Sequence, residues 1–276
     1  MSLTVNTNLA ALGAANSLNK TQNALGTTLA RVSSGLRITK AADDAAGSAV
    51  AMNLKTTARS GRQAMRNAND GISVIQTAES ATKEVLNILD RMRELSVQSA
   101  SETLDDGERA YIDAEFDQLR NEVDRIASAT EFNDVKLADG TKSTLSVQVG
   151  VSSTSESQVE ITLGDISVSA VGMTGTAIDL SNASSARSAI DTVDTAIDSV
   201  NKIRADYGAV QNRLDSSIRN MSTYVESLTA AASQIEDADY AHETAEMTRL
   251  QVMQQAGVAA LGQAKGINQS VISLLG

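Results

Sequence analysis

The sequence predicts a mainly α fold: a long-helix coiled-coil bundle with one small β-hairpin region and discontinuous terminal helical arms. Three observations carry this. Between Ile190 and Ile235 apolar residues recur at alternating steps of three and four (Ile190, Val193, Ile197, Val200, Ile203, Tyr207, Val210, Leu214, Ile218, Met221, Val225, Leu228, Ala232, Ile235), one seam through roughly six heptads. None of the 276 residues is a proline, so nothing of that kind interrupts a helix. With two Phe, four Tyr and no Trp, the 42% apolar content is mostly Ala, Leu, Val and Ile, which pack as thin helical seams rather than as an aromatic-rich centre.

In chain order, residues 5–36 form the first arm, with Leu18, Leu25 and Val32 at one heptad position and Leu29 and Leu36 at another. A long helix from about Ala45 to Ser101, roughly 84 Å at 1.5 Å per residue, follows. Its stripe Val74, Ala78, Ala81, Val85, Ile88, Met92, Leu95 has a second beside it, Ile72, Ile75, Leu86, Leu89, so it can touch two neighbours. Leu104-Asp105-Asp106-Gly107 makes a turn with acids placed at the positive end of the next helix, about Gly107 to Ala129, which carries Ile112, Phe116, Leu119, Val123 and Ile126. Between 142 and 171 the period becomes two: Leu145, Val147, Val149, Val151, then Val159, Ile161, Leu163 around the polar run Ser152 to Ser157, a hairpin signal. Ser, Thr and Gly to about Ser185 read as a poorly structured connector. The seam helix, Ser184 to Ile235, spans roughly 78 Å. The last arm carries Met247, Leu250, Val258, Leu261, Val271, Leu274 and Leu275.

This divides the chain into a terminal-arm domain (1–44 with 236–276), a coiled-coil domain (45–141 with 172–235) and its hairpin (142–171). Residues 1–44 hold four basic and two acidic residues and 236–276 two basic and five acidic, so the arms are weakly complementary. Each is too thin in apolar surface to offset about 1 to 2 kcal/mol per residue of ordering entropy, which predicts arms that stay loose in the monomer and order on assembly.

A net charge of -11 argues against a nucleic-acid partner. Zero cysteines rules out disulfides and thiolate metal sites. The N-terminus lacks a cationic region followed by an apolar one, and no stretch approaches a membrane span, so neither signal-peptide export nor membrane insertion is expected. His242-Glu243-Thr244-Ala245-Glu246 has Glu where a zinc-protease motif needs its second His, and His242 is the only histidine. Asp43-Asp44 and Asp105-Asp106 read as helix caps rather than as catalytic pairs. Gly-rich phosphate loops are missing. The expectation is a structural protein with no catalytic, cofactor or metal residues; Ser152 to Ser157 permits glycosylation.

Particular motifs add a resemblance. Ser33-Ser34-Gly35-Leu36-Arg37-Ile38, Asp43-Asp44-Ala45-Ala46-Gly47, Ala68-Asn69-Asp70-Gly71-Ile72-Ser73 and Arg91-Met92-Arg93-Glu94-Leu95-Ser96-Val97-Gln98-Ser99 closely resemble the N-terminal region of bacterial flagellin. Gly208-Ala209-Val210-Gln211-Asn212-Arg213-Leu214, Ile235-Glu236-Asp237-Ala238-Asp239-Tyr240-Ala241, Gln254-Gln255-Ala256-Gly257 and Ser273-Leu274-Leu275 resemble its C-terminal region. Val147 stands where the family commonly has Phe, and no large variable outer domain separates the halves.

The resemblance implies a self-polymerising subunit of the extracellular flagellar filament, secreted unfolded through the flagellar type III channel and added at the tip beneath a cap. It implies arms lining the inner core, helped by Leu18, Leu25, Leu29, Val32, Leu36, Met247, Leu250, Val258, Leu261, Leu274 and Leu275, with the long helices around them. Implied partners are an export chaperone, cap and hook-filament junction proteins, and the host Toll-like receptor for flagellin. Arg91, Leu95 and, on the neighbouring helix, Glu115 match the positions through which that receptor binds, with Gln98 one turn further along the same face, although Leu95 also continues the Val74 seam and Arg91 with Glu115 also suits an interhelical ion pair. The alternatives are a hook-filament junction protein of the same family and, from another class, a signalling coiled coil, which would need a membrane segment.

Overall fold

Polar side chains at their first turns set where the helices begin. The computed structural model describes residues 7–174 and 178–275, and among these are α1 (Leu9–Ser34), α2 (Ala45–Ser99), α3 (Asp106–Ala129), α4 (Ala183–Glu236) and α5 (Tyr240–Leu275). Each starts one residue after an Asn or Asp whose carboxylate or amide oxygen accepts a first-turn N–H: Asn8 from Ala11 at 2.9 Å, Asp44 from Gly47 at 2.8 Å, Asp105 from Glu108 at 2.7 Å, Asn182 from Ser185 at 2.9 Å, Asp239 from Ala241 at 2.9 Å. At α3 the cap is reciprocal, because the Glu108 carboxylate accepts the Asp105 N–H. One member of each acidic pair, Asp44 and Asp105, is the cap, while Asp43 accepts from Thr39 and Lys40 in the turn before α2. Short strands β1 (Glu131–Phe132) and β2 (Val135–Lys136) turn through Asn133 and Asp134, both at positive φ, a tight turn absent from the sequence expectation. Strands β3 (Thr144–Gln148) and β4 (Gln158–Thr162) pair antiparallel with Val147 opposite Val159 and Leu145 opposite Ile161. The predicted hairpin is present, with strands shorter than 142–171.

The chain divides into two compact units, residues 57–226 and residues 1–56 with 227–276. This division falls inside α2 and α4, so that the ends of both helices group with the terminal helices.

In residues 57–226, α2 and α4 run antiparallel, Arg93 meeting Asp194 at 2.5 Å and Glu79 meeting Arg204 at 3.6 Å. Their approach is close at Gly61, where an added Cβ would lie 2.6 Å from Val225 Cγ2 and 3.0 Å from the Met221 sulfur. One core joins Val85, Leu89, Met92 and Leu95 of α2 to Ile112, Phe116 and Val123 of α3 and to Val193 and Val200 of α4. A second packs Ile75 and Ala78 of α2 and Tyr207 and Leu214 of α4 against Val147, Val159 and Ile161 of the hairpin.

The stretch from Leu163 to Leu180 corrects the expectation of a loose connector. Its described residues form no helix or strand, yet Leu163, Ile166, Val168, Val171, Met173, Ile178 and Leu180 are all buried, most of them in the α2–α3–α4 core. Long-range side chains satisfy its backbone. Asp124 accepts the Val168 N–H at 2.8 Å, Asp113 that of Leu180 at 3.0 Å and the Tyr207 hydroxyl that of Gly164 at 3.1 Å, while the Ser99 hydroxyl donates to the Leu180 carbonyl at 2.7 Å. Burial raises the Tyr207 phenol above its ordinary value. The turn out of α2 is closed by Arg109, 5% exposed, whose guanidinium donates to the carbonyls of Ser99, Ser101 (2.9 Å) and Leu104 (3.1 Å). A cation there completes the carbonyl end of a long helix.

The other unit is a helical pair with a laced base. Asn8 Nδ2 donates to the Ala264 carbonyl at 2.9 Å, Leu18 touches Gly257, and Arg31 meets Glu243 at 3.4 Å, so α1 and α5 are antiparallel. Below them the two turns pair as a short bridge: Arg37 N–H to Glu236 O at 2.7 Å, Ala238 N–H to Gly35 O at 2.9 Å, with Leu36 opposite Asp237. Gly35, at φ 71°, ends α1 in the left-handed conformation this reversal needs. Charge divides unevenly. This unit holds seven basic and seven acidic residues, whereas 57–226 holds sixteen basic and twenty-seven acidic, the whole of the -11.

Candidate assembly surface

The arms bury little between themselves. The inward positions of α1 include Leu18, Thr21, Leu25, Thr28 and Val32, and those of α5 Glu243, Met247, Leu250, Gln254, Gly257 and Leu261, each series stepping by three and four. Within α1 and the described side chains of α5, Leu250 is the one apolar side chain that is buried; the other buried ones are Thr21, Thr28 and Glu243. The half-exposed positions include Leu18, Leu25, Val32, Leu36, Met247 and Leu261. Leu29 and Val258 point outward at 55% exposure each, as do Leu9, Leu12, Val252 and Met253. Leu274 and Leu275 lie outside the described side chains. Of the arm residues read from sequence, six therefore lie in or beside the seam and its base, Leu250 is inside it, and two belong to an uncovered apolar flank.

In residues 57–226 the Arg91 guanidinium lies between two carboxylates. Its Nε and Nη2 donate to Glu115 Oε1 at 3.1 and 2.9 Å, and its Nη1 to Glu94 Oε2 at 2.9 Å. These bonds, first those to Glu115, raise the Arg91 pKa above its ordinary value. Gln98 is exposed on the same helix. Leu95 is 1% exposed and packs in the α2–α3–α4 core, so the surface there is polar and Leu95 supports it from beneath. Spacing put Leu95 both on the Arg91 face and in the Val74 seam; the structure places its side chain in the seam.

Carboxylates in one open cleft are engaged in the fold. An open cleft of about 560 Å³ is lined by Asp113, Asp117, Asp124 and Asp179, but Asp113 and Asp124 accept backbone N–H groups and Asp117 pairs with Arg120 at 2.9 Å. Among the described residues no cluster of three or more His, Cys, Asp or Glu is placed to hold a metal ion. What the molecule does present is two long antiparallel seams and an apolar flank on its paired termini.

Comparison with known proteins agrees with that architecture. The model of the bacterial flagellin N-terminal helical region matches residues 5–143, and that of the bacterial flagellin C-terminal helical region matches residues 190–275. The chain belongs to the bacterial flagellins. It is 42% identical to a flagellin of Halalkalibacterium halodurans over 98% of this chain and 99% of that one. It is also 37% identical to the flagellar filament 33 kDa core protein of Treponema phagedenis over 98% and 99%. Among solved structures it is similar to Bacillus cereus flagellin, with a TM-score of 0.50 and 32% identity over 56% of this chain and 88% of that chain. Flagellin is a structural protein that polymerises with copies of itself, and the chain is a subunit of the flagellar filament. Among the described residues no helix is long and apolar enough to cross a membrane.

Sequence reasoning missed Arg109 and the Arg31–Glu243 pair, because single charged residues read as surface. Glu243 does carry a signal: it stands four residues before Met247 and seven before Leu250, at a seam position.

Proposed function

We propose that the paired arms are the polymerisation device of this filament subunit. The chain is secreted unfolded through the flagellar type III channel, escorted by an export chaperone, and added at the distal tip beneath a cap, while hook-filament junction proteins are its partners at the filament base. The arms stay loosely ordered in the free chain and order when neighbouring copies cover their outward flank, forming the inner core with the long helices around it. One observation carries this: Leu9, Leu12, Leu29 and Val258 are exposed on an α1–α5 pair that, among its described side chains, buries a single apolar one, Leu250. An apolar surface left open beside so thin a core gains most from a partner. Deleting residues 1–40 and 240–276 is expected to leave a helical, soluble monomer that forms no filaments under electron microscopy. Robust filaments from that deletion would remove the arms from the mechanism. The names of the relatives favour the filament over the junction-protein alternative.

A second reading concerns the Arg91 face. By family resemblance Arg91, Gln98 and Glu115, with Leu95 beneath, form the surface bound by the host Toll-like receptor for flagellin; the half-exposed Arg91–Glu115 pair supports this. Arg91→Ala with Glu115→Ala should leave helicity intact and reduce receptor signalling by monomers by on the order of thirtyfold. Full signalling by the double variant would end this reading.

A further inference from the structure

The chain has no cysteine, so eight methionines are its only sulfur atoms. Thioethers are oxidised to sulfoxides by peroxides at rates that follow exposure. Burial sorts these methionines sharply: Met92 and Met173, in the core of residues 57–226, are 0% exposed, whereas Met52 and Met253, in the terminal unit, are 59% and 45% exposed.

Met253 stands apart by its surroundings. It lies on the outward side of α5 beside exposed Val252, Ala256 and Ala260, all apolar. Arg249, one turn earlier, brings Nη1 to 3.3 Å from the Met253 sulfur and is itself held by Glu246, with Nε 2.8 Å from Oε2. A thioether is a weak acceptor and a sulfoxide oxygen a strong one, so a fixed cationic donor waits where the oxidised product would use it.

We propose that Met253 is a redox modification site: a peroxide oxidises it in the unassembled chain, and the sulfoxide blocks polymerisation reversibly. The sulfur lone pair attacks one oxygen of hydrogen peroxide, the S–O bond forms as the O–O bond breaks, and the proton of the transferred oxygen passes to the departing hydroxide, which leaves as water. Sulfur gives up two electrons and the peroxide takes them. The apolar stripe is then interrupted by a polar group that resists transfer out of water into a contact between copies. The inference rests on the reading that the arms drive polymerisation.

The test uses the full-length chain and hydrogen peroxide, with peptide mass spectrometry locating the added oxygen. Met253 and Met52 should oxidise about tenfold or more faster than Met92 and Met173, and assembled filaments should protect Met253. Circular dichroism should stay unchanged while the critical concentration for filament growth rises about tenfold or more. After the same treatment Met253→Leu should grow filaments and Met52→Leu should not, and methionine sulfoxide reductases should restore growth to the oxidised parent. Untreated Met253→Gln, which places a polar group at the same position, should raise the critical concentration likewise. Normal growth by chain fully oxidised at Met253, or by Met253→Gln, overturns the proposal. Failure of the untreated parent to polymerise, or filaments from the arm deletion, instead overturns the assembly reading on which it rests.

Discussion

The α2–α4 pair in residues 57–226 and the α1–α5 pair at the chain ends follow the same three-four repeat, yet their interiors differ. In the first, Val193, Val200, Tyr207 and Leu214 face Ile75, Val85, Leu89 and Met92, and α3, a hairpin and an irregular segment close the sides. In the second, the corresponding positions hold Thr21, Thr28, Glu243 and Gln254, and nothing beyond the pair covers their flanks among the described residues. A heptad repeat therefore specifies that helices pair, while the size of the residues on it decides whether the pair is finished. The first seam is complete within one chain; the second leaves surface for another.

The widest separation should come from placing one charge in each seam system. Leu214→Asp, at a position 0% exposed, should destabilise residues 57–226 by about 4 kcal/mol or more, seen as an early loss of cooperative thermal unfolding. Leu29→Asp, on the exposed flank, should shift monomer melting by less than about 0.5 kcal/mol and still abolish filament growth. A large melting shift from Leu29→Asp would show the arm flank already packed in the monomer and dissolve the contrast.

Arg109→Ala comes next, because it strips donors from the buried carbonyl of Ser99 and the half-buried ones of Ser101 and Leu104. The expected cost is about 3 kcal/mol in denaturant titration, confined to residues 57–226. A neutral result would mean that water replaces the guanidinium at the end of α2.

Gly61→Ala tests how tightly the finished seam closes. Its new Cβ meets the branched Val225 side chain, so roughly 1 to 2 kcal/mol should be lost, and Gly61→Ala with Val225→Ala should recover part of it. No effect would mean the helices separate there without penalty.

Smallest and most local is a pH effect at the base of the arms. The Asp43 carboxylate accepts the N–H groups of Lys40 and Thr39 and the Thr39 hydroxyl, each at 3.0 Å, and these bonds, Lys40 foremost, hold its pKa below the ordinary carboxylate range. A depressed folded value means the bonds contribute fully above the unfolded aspartate pKa and are lost as pH falls through the folded one. Acid should therefore speed proteolytic cutting at residues 39–44 before residues 57–226 loosen, and Asp43→Asn should remove that pH dependence. Cutting there that is independent of pH in the parent would assign the turn's order to other contacts.

The long helices and the main hairpin were legible because their cores lie on a fixed period, 3.5 or 2, that a short window reveals. The Leu163–Leu180 segment was not, since the seven apolar residues buried among its described ones follow no period and sit among Ser, Gly and Thr that resemble a linker. What pins it comes from far along the chain, Asp113 and Asp124 from α3 and Tyr207 from α4, and no local pattern announces such partners. The arms were half legible. Leu18, Leu25 and Val32 and the offset Leu29 both fit a heptad reading, and only the position of α5 decides that the first set faces inward and Leu29 outward. At the Arg91 face, spacing left Leu95 with two assignments, and its burial places the side chain in the seam while Arg91 and Gln98 are exposed.

The uneven division of charge gives assembly an electrical character. Every copy added to a filament brings a net charge of -11, all of it on residues 57–226, while residues 1–56 with 227–276 are neutral in sum. The polymer is thus a polyelectrolyte whose self-repulsion grows with each subunit and is relieved by the surrounding ion atmosphere, with a screening length of about 8 Å at physiological ionic strength. Cohesion and repulsion are written on different stretches of one chain, so dissolved salt can tune how readily the filament grows without altering the arm seam itself.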